Sequence, residues 1–277
     1  MRGEPVARLE GLARNWLVEI DHRLETPTSI LAFGTRLGES VVLKAAKIHD
    51  DEWRSGEVLA AFGGIGAARV MEHVEGAVLM ERAVPGDVLA RMSLDGHDDE
   101  ATRMLAELIA SMRPRMLDKV TTVRDHGAAL ERCAGDESLG PELLQRAKTE
   151  YAALCASQGR PCLLHGDLHH YNVIRDAKRG WLAIDPKGLV GELEYEVGAA
   201  LRNPYERPEL LADPATIKRR IRCFETELAL DGNRILRWAF AQAVLAAAWE
   251  LEEGQPLGPE SPWIALAQVT HRMLFIC

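Results

Sequence analysis

The amino-acid sequence predicts an α+β protein of two lobes, a small antiparallel sheet with one main helix followed by a larger, mostly helical part. The length of 277 residues fits one large domain or two unequal lobes, because a domain has about 150 residues. Short apolar runs between turn residues occupy residues 1–82, whereas apolar residues at helical spacing dominate residues 83–277. Apolar residues make up 47% and charged residues 27% of the chain, which is typical of a globular protein.

Local patterns predict each element of the first lobe. Apolar residues at helical spacing predict a helix over residues 6–20. Two apolar runs on either side of Gly38 predict a β-hairpin, because glycine takes the positive φ that a tight turn needs. The predicted strands are residues 30–33, 41–43, 69–73 and 77–80, and a second helix is predicted over residues 52–62, ending at Gly63 and Gly64.

The second lobe is predicted to be helical around a short β region. The β region covers residues 163–184, where apolar runs flank a polar loop. Helices are predicted over residues 98–112, 141–156, 214–230, 234–253 and 262–275. A ligand is expected in the cleft between two such lobes.

Composition excludes several classes of protein. The 33 basic and 42 acidic residues give a net charge of −9, which disfavours nucleic-acid binding and favours a cationic ligand. The five cysteines are odd in number and form no CxxC pair, which favours a reducing cytoplasm over a disulfide framework. The N-terminus has no apolar signal-peptide core, and the most apolar window, residues 238–249, is too short to span a membrane. The oligomeric state stays open.

One polar loop carries the strongest chemical signal. His165, Asp167 and Asn172 stand in the order His-x-Asp-x-x-x-x-Asn, and Asp185 follows 13 residues after Asn172. This is the order of a phosphotransferase catalytic loop and its metal-binding aspartate. Asn172 and Asp185 offer the hard oxygen ligands that Mg²⁺ prefers. Asp167 is the candidate catalytic group that faces the acceptor hydroxyl, and His165 is expected to brace the loop.

Phosphoryl transfer also needs a cation that holds the nucleotide phosphates. Lys44 ends the apolar run Val41-Val42-Leu43 and is the candidate. Glu57, on the following helix, is expected to hold this lysine, and Glu52 is the less favoured alternative. No GxGxxG precedes Lys44; the segment Thr26-Pro27-Thr28-Ser29 occupies its place, so backbone N–H groups or the hydroxyls of Thr28 and Ser29 are expected to bind phosphate there.

The segment His-Gly-Asp-Leu-His-His-x-Asn-Val resembles the catalytic loop of aminoglycoside phosphotransferases. Asp-Pro-Lys-Gly-Leu-Val-Gly-Glu from residue 185 and Leu-Arg-Asn-Pro from residue 201 resemble the streptomycin 6-kinase and hydroxyurea-kinase branch. The resemblance implies a two-lobed, protein-kinase-like fold, ATP and Mg²⁺ as cofactors, and a small-molecule hydroxyl as acceptor. It also implies that the backbone from Glu81 to Ala83 binds adenine.

Four residues are candidates for contact with the acceptor or with phosphate: Lys187, Glu192, Asn203 and Trp249. Lys187 fits a phosphate contact or an ion pair with Glu192 or Glu194 equally well, and Trp249 fits the core as well as a ligand site. Residues 185–260 hold 14 acidic and 9 basic residues, which favours a cationic acceptor such as streptomycin.

Other functions remain open from the sequence. The acceptor can be a metabolic sugar, an amine or a hydroxyurea-like compound, since the motifs do not distinguish these from an aminoglycoside. The missing glycine loop also fits a nucleotide-binding regulatory module without turnover. A metal-dependent hydrolase would place His165 and His169 on one helix beside Asp167, as zinc ligands.

Overall fold

The structure of the protein is a computed structural model, which describes residues 3–49, 51–133, 137–258 and 260–275. Cys277 lies outside the described residues. Within the described part of the chain, no disulfide bond involves Cys133, Cys155, Cys162 or Cys223. No helix in the described ranges is long and apolar enough to cross a membrane.

The N-terminal lobe is an antiparallel sheet that packs against the N-terminal helix and a second, shorter helix (Ser55–Ala61). Helix α1 (Gly3–Asn15) packs its buried side chains Leu9 and Ala13 against this sheet. The strands stand in the order β1-β2-β3-β5-β4. Their bounds are β1 (Glu19–Glu25), β2 (Ser29–Arg36), β3 (Glu39–Ala46), β4 (Val70–Val74) and β5 (Ala77–Glu81).

The predicted helix over residues 6–20 is wrong in its last turn. The helix ends at Asn15, the chain turns at Leu17 with a φ of 57°, and Ile20 pairs with Gly34 in the sheet. A Cβ on residue 34 would lie 2.0 Å from the carbonyl oxygen of Glu19. Glycine at this position therefore lets β1 approach β2, and this tertiary contact overrides the helical spacing.

The predicted hairpin is confirmed, and it fixes the position of Lys44. Strands β2 and β3 meet at Leu37 and Gly38, whose φ angles of 50° and 84° suit a tight two-residue turn. Lys44 pairs with Leu31 on one side and with Val78 of β5 on the other. The lysine therefore lies in the middle of the sheet, where the backbone is held from both sides.

The second predicted helix is divided into two parts. Asp51–Arg54 forms a 3₁₀ turn, and α2 (Ser55–Ala61) follows and ends at Phe62 before Gly63, which has a φ of 62°. Because the tighter 3₁₀ turn changes the direction of its side chains, Glu52 and Glu57 face different surroundings.

The C-terminal lobe surrounds two small sheets with helices. Strands β6 (Pro85–Val88), β8 (Val173–Asp176) and β9 (Gly180–Ala183) form one sheet, and β7 (Cys162–Leu164) pairs with β10 (Leu189–Gly191). The helices are α3 (Ala90–Leu94), α4 (Asp98–Ser111), α5 (Val123–His126), α6 (Ala129–Arg132), α7 (Pro141–Ala156), α8 (Leu193–Leu201), α9 (Pro208–Ala212), α10 (Pro214–Leu228), α11 (Gly232–Glu252) and α12 (Pro262–Phe275).

Helix α11 is the centre of the C-terminal core. Its residues Trp238 and Phe240 are completely buried, and it packs against α7, α8 and α12. This apolar centre holds α8 beneath the loop between β7 and β8. Helix α8 is absent from the elements that the sequence pattern predicts, and it positions two charged residues of the site described next.

Candidate active site

The loop between β7 and β8 brings Asp167, Asn172 and Asp185 together. Strands β8 and β9 form a hairpin, so the end of β9 lies beside the start of β8. There the N–H of Ile184 donates to the carbonyl oxygen of Asn172 at 2.9 Å. The side-chain Nδ2 of Asn172 donates to the carbonyl oxygen of Asp167 at 2.9 Å. Asp167 and Asp185 are 18 residues apart in the sequence. The β8–β9 hairpin nevertheless brings both of them, together with Asn172, to the same end of the hairpin.

His165 links this loop to the strand that precedes Asp185. Its Nε2 lies 2.8 Å from the carbonyl oxygen of Ile184, and its own carbonyl oxygen accepts the N–H of Gly188 at 2.9 Å. Burial lowers the pKa of His165 to about 4, so the ring is neutral at pH 7 and carries its proton on Nε2. The side chain connects two backbone segments and does not face the cleft as a metal ligand.

Lys44 crosses from the N-terminal sheet to the C-terminal lobe. Its Nζ lies 2.8 Å from Asp185 Oδ1 and 2.8 Å from Glu52 Oε2. Burial alone lowers the pKa of Lys44, but the charges and hydrogen bonds of Asp185 and Glu52 outweigh it and raise the pKa above its ordinary value. The ammonium group is therefore charged, and it lies between the lobes next to a carboxylate.

The predicted partner of Lys44 is wrong. Glu57 instead accepts hydrogen bonds from Nε and Nη2 of Arg54 at 2.9 and 2.7 Å. Glu52 lies in the 3₁₀ turn and Glu57 in α2, and the turn directs the two carboxylates to different basic partners. The less favoured candidate, Glu52, holds Lys44.

Asn172 and Asp185 fit a magnesium ion by the chemistry of their free atoms. The amide nitrogen of Asn172 is used within the loop, which leaves its Oδ1 as the atom that a cation can bind. Asp185 adopts a φ of 57°, which is rare for a residue with a side chain and directs its carboxylate toward Lys44. An amide and a carboxylate oxygen at one edge suit a hard cation.

The zinc alternative does not fit the structure. His165 and His169 lie on a loop, and the Nε2 of His165 is already engaged with the backbone. In the described ranges, no group of three or more His, Cys, Asp and Glu side chains is arranged to hold a metal ion.

Asp167 is flanked by two cations and a histidine. Its carboxylate lies 3.6 Å from Lys187 Nζ, 3.9 Å from Arg202 Nη2 and 3.7 Å from His169 Nε2. Burial raises the pKa of Asp167, but the charges of Lys187, His169 and Arg202 outweigh it and hold the pKa well below the ordinary range. The side chain is 19% exposed, and its carboxyl group is ionised at neutral pH. It can therefore accept a hydrogen bond from a hydroxyl.

Glu196 is a site residue that the sequence reasoning missed. It lies on α8, is buried, and accepts hydrogen bonds from the N–H groups of Gly166 at 3.1 Å and Leu168 at 3.4 Å. Burial raises the pKa of Glu196 to about 7, although these backbone donors act in the opposite direction. The sequence offers no signal that distinguishes it, since α8 carries two acids, Glu194 and Glu196, and only the fold shows that Glu196 is the buried one.

Two of the predicted acceptor contacts are wrong. Glu192 is buried and accepts hydrogen bonds from Arg234 Nε at 2.6 Å and Trp238 Nε1 at 2.5 Å. Asn203 is buried and its Nδ2 donates to the carbonyl oxygen of Ala199 at 2.9 Å. Their polar groups serve the helices of the lobe, because a buried polar group needs partners from the protein itself.

The other two predicted contacts lie beside Asp167. Lys187 approaches Asp167 and not Glu192 or Glu194, and its Nζ lies 5.2 Å from the centre of the Trp249 ring. The guanidinium carbon of Arg202 lies 5.9 Å from the same centre. Trp249 is therefore a partly buried side chain of α11 that supports both cations.

The remaining predicted nucleotide contacts lie along the N-terminal lobe. Ser29 is buried, and its hydroxyl lies 2.9 Å from Thr26 Oγ1 within the β1–β2 turn. The carboxylate of Glu81 accepts the N–H of Arg69 at 2.6 Å and contacts Arg179. Ala83 follows β5 in the connection to β6. The side chains of Ser29 and Glu81 are thus engaged, and so are their backbone N–H groups, which donate to Thr26 Oγ1 at 2.9 Å and to the carbonyl oxygen of Arg69 at 3.0 Å.

Comparison with known proteins identifies relatives over most of the chain. A sequence profile of the family described as aminoglycoside/hydroxyurea antibiotic resistance kinase matches residues 15–254. A streptomycin 3''-kinase from Klebsiella pneumoniae is 34% identical over 86% of this chain and 91% of its own. A hydroxyurea phosphotransferase from Kitasatospora aureofaciens is 29% identical over 79% of this chain and 65% of its own.

The fold has a counterpart among solved structures. A thermostable mutant of aminoglycoside phosphotransferase APH(4)-Ia, solved with ADP and hygromycin B, superposes with a TM-score of 0.63 over 95% of both chains at 17% identity. At this identity the likeness concerns the fold. It confirms the predicted two-lobed, protein-kinase-like architecture.

Proposed function

The chain belongs to the family of aminoglycoside and hydroxyurea antibiotic resistance kinases, and from that premise we propose that it transfers the γ-phosphoryl group of ATP to a hydroxyl of streptomycin or a similar aminoglycoside. The protein is a small-molecule phosphotransferase. In this proposal residues 1–82 hold the nucleotide, and residues 83–277 supply the catalytic and acceptor-binding groups.

One observation carries the proposal. Lys44 of the N-terminal sheet and Asp185 of the C-terminal lobe lie 2.8 Å apart, with Asn172 and Asp167 on the same hairpin edge as Asp185. A phosphate clamp, two hard oxygen ligands and an ionised carboxylate are the parts that phosphoryl transfer needs, since catalysis here consists mainly of positioning and charge stabilisation.

Each residue then has a role. Lys44, held by Glu52, binds the α- and β-phosphates, and the β1–β2 turn at residues 26–29 occupies the place of the missing glycine loop. The backbone from Glu81 to Ala83 binds adenine. Asn172 and Asp185 would hold Mg²⁺, which neutralises charge on the phosphate oxygens when bound.

Asp167 acts on the acceptor. Its ionised carboxylate accepts a hydrogen bond from the hydroxyl, orients the oxygen toward phosphorus and receives the proton as the new P–O bond forms. The neutral ring of His165 and the carboxylate of Glu196 hold the loop backbone on both sides of Asp167. The loop is therefore fixed before the substrates arrive.

Two observations support an aminoglycoside as the acceptor. The Klebsiella relative is named for streptomycin, and the match covers most of both chains. The acidic excess over residues 185–260 also suits a polycation. Because Lys187 and Arg202 flank Asp167, the cationic groups of the acceptor must lie away from them, with only a hydroxyl presented to the carboxylate.

A second acceptor has specific support. The Kitasatospora relative is named for hydroxyurea, a small neutral molecule that would not need an acidic pocket. Purified protein with ATP and Mg²⁺ is therefore incubated with streptomycin, hydroxyurea and a panel of sugars and amines, and products are identified by mass spectrometry. We expect phosphorylated streptomycin as the main product.

The Asp167→Asn variant tests the mechanism in the same assay, with Asp87→Asn as the matched control. Asp87 is an exposed acid that pairs with Arg91 at the surface. Asp167→Asn should form no product above background, and Asp87→Asn should match the wild type. Rapid turnover of hydroxyurea without any aminoglycoside product would favour the second acceptor. Nucleotide binding without turnover of any acceptor would favour a regulatory module.

A further inference from the structure

Arg202 and Lys187 approach the carboxylate of Asp167 from two different elements without bonding to it. Lys187 lies in the connection between β9 and β10, and Arg202 follows the last residue of α8. Their nitrogens are 3.6 and 3.9 Å from the two carboxylate oxygens. Both distances exceed the hydrogen-bonding range, so the cations contribute charge but keep their N–H donors free.

The guanidinium of Arg202 is the more unusual of the two. Its side chain is only 9% exposed, and its Nε has no hydrogen-bond partner among the described residues. A buried donor without a partner destabilises the fold, and more so when it is charged. A group with this arrangement suits a ligand that supplies the missing acceptors.

Trp249 holds both cations in place without using their donors. The ring centre lies 5.2 Å from Lys187 Nζ and 5.9 Å from the guanidinium carbon of Arg202. A cation over an aromatic face is attracted by the electrons of the ring, and its N–H groups remain directed elsewhere. The two donors and the ring therefore form a preorganised cationic corner beside Asp167.

The chemistry of this corner selects its ligand. Two cations repel an ammonium or guanidinium group, so the corner does not bind the charged parts of an aminoglycoside. A tetrahedral anion with several oxygens matches the free donors, because arginine binds phosphate through two parallel hydrogen bonds and lysine acts as a point charge. The corner also lies beside the carboxylate that receives the acceptor hydroxyl, where the phosphoryl group must arrive.

We propose that Arg202 and Lys187 form a binding site for the phosphoryl group during its transfer and for the phosphate monoester product. The site rests on the proposed phosphotransfer function. The acceptor oxygen forms its bond to the γ-phosphorus, the bond from that phosphorus to the β,γ-bridging oxygen breaks, and ADP leaves with the electron pair. The hydroxyl proton passes to Asp167. Arg202 and Lys187 donate hydrogen bonds to the non-bridging oxygens and make no covalent bond.

The test separates binding of the phosphoryl group from binding of the nucleotide. Lys187→Met, Arg202→Met, Lys187→Arg and Arg202→Lys are compared with the wild type for kcat, for KM of ATP, and for affinity toward ADP alone and ADP with aluminium fluoride. The aluminium fluoride complex is the probe because it mimics the phosphoryl group in transit. Lys148→Met is the matched control, since Lys148 is a partly buried lysine of α7 that pairs with Glu131.

We expect the methionine variants to lose about 10²–10³-fold in kcat. Their affinity for ADP with aluminium fluoride should fall by a similar factor, whereas affinity for ADP alone and KM of ATP stay near the wild-type values. Lys187→Arg and Arg202→Lys should recover part of the loss, and Lys148→Met should match the wild type. Because Lys187 is 23% exposed, Lys187→Met should fold even where Arg202→Met does not.

Wild-type kcat in the methionine variants, or equal loss of affinity for both ADP forms, would overturn the anion site. The proposed function fails separately, if the wild type transfers phosphate to no acceptor. In that case the anion site is judged by the aluminium fluoride binding alone, and equal affinities of wild type and Lys187→Met would reject it.

Discussion

Two buried arginine–aspartate pairs in the C-terminal lobe differ in how completely they are bonded. Arg220 donates to Asp98 from Nε at 2.9 Å and from Nη2 at 2.5 Å, and its Nη1 donates to the carbonyl oxygen of Asn203 at 2.8 Å. Arg202 approaches Asp167 only to 3.9 Å, and its Nε has no partner among the described residues.

The difference separates a structural pair from a functional one. A buried ion pair stabilises a fold only when its remaining donors and acceptors are satisfied, as they are at Asp98, where Ser93 adds a further hydrogen bond. Burial raises the pKa of Asp98, but the hydrogen bonds and charge of Arg220 outweigh it and lower the pKa. The pair around Asp167 is left incomplete, which makes its groups available to substrates.

The same substitution in both pairs should therefore have opposite effects. Asp167→Asn should lower turnover by about 10²–10⁴-fold, because it removes the group that orients and deprotonates the acceptor. Its free energy of unfolding should fall by less than that of Asp98→Asn, since the favourable charges of Lys187 and Arg202 are lost but no short hydrogen bond to a cation is. Steady-state kinetics and urea unfolding measure the two quantities, and a large loss of stability would contradict the comparison.

Asp98→Asn should do the reverse. It leaves the buried guanidinium of Arg220 without a counter-charge, which costs about 3–5 kcal/mol of unfolding free energy. Turnover per folded molecule should stay near the wild type, because Asp98 touches no group of the proposed site. Urea unfolding followed by fluorescence checks the loss, with Asp99→Asn, which removes a surface pair with Arg219, as the control. Equal stability of the two variants would refute the structural role of Asp98.

A matched pair of glutamates tests which acid holds Lys44. Glu52→Gln should lower kcat/KM for ATP by about 10–10²-fold, because it removes a charged partner at 2.8 Å, a contact of about 1.5–3 kcal/mol. Glu57→Gln should change kcat/KM by less than about twofold, since Glu57 binds the partly exposed Arg54. A larger loss of kcat/KM in Glu57→Gln than in Glu52→Gln would contradict the structure and favour Glu57 as the partner of Lys44.

Glu196 predicts a pH dependence of stability. Its folded pKa of about 7 exceeds the ordinary value of 4.5, so between these pH values the folded chain holds a proton that the unfolded chain has released. The free energy of unfolding contributed by Glu196 therefore falls as pH rises through this window. Glu196→Gln removes the effect, so its free energy of unfolding relative to the wild type should rise by about 2–3 kcal/mol between pH 5 and pH 8, measured by urea unfolding at each pH.

Two other buried groups must be separated from Glu196 in this pH experiment, His165 and Glu192. The pKa of His165, lowered to about 4, makes stability rise with pH in the acid range, but it acts equally in the wild type and in Glu196→Gln. Glu192→Gln breaks an ion pair with Arg234 and should lower Tm at every pH. If the stability difference between Glu196→Gln and the wild type were the same at every pH, the raised pKa of Glu196 would be contradicted.

The sequence predicts the parts of the site that depend on neighbours in the chain. The loop from His165 to Asn172 and the hairpin around Gly38 are contiguous patterns, and the structure forms both. Helices α7 and α12 have the predicted bounds because apolar spacing and a proline at the first turn define them locally.

The missed residues depend on tertiary placement. Arg202 and Glu196 gain their roles from the position of α8 beneath the loop, which no local spacing indicates. The choice between Glu52 and Glu57 depends on a 3₁₀ turn that changes the helical phase by a fraction of a turn. Glu192 and Asn203 stand in motif-like segments, but burial turns their side chains toward the lobe.

The most direct test of the account is the initial rate at which purified protein transfers label from γ-labelled ATP to streptomycin, measured for the wild type, Asp98→Asn and Asp167→Asn at equal concentrations of folded protein. The account predicts labelled streptomycin from the wild type and from Asp98→Asn at similar rates, and none above background from Asp167→Asn. Labelling by Asp167→Asn at the wild-type rate, or no labelling of streptomycin by the wild type, would contradict it.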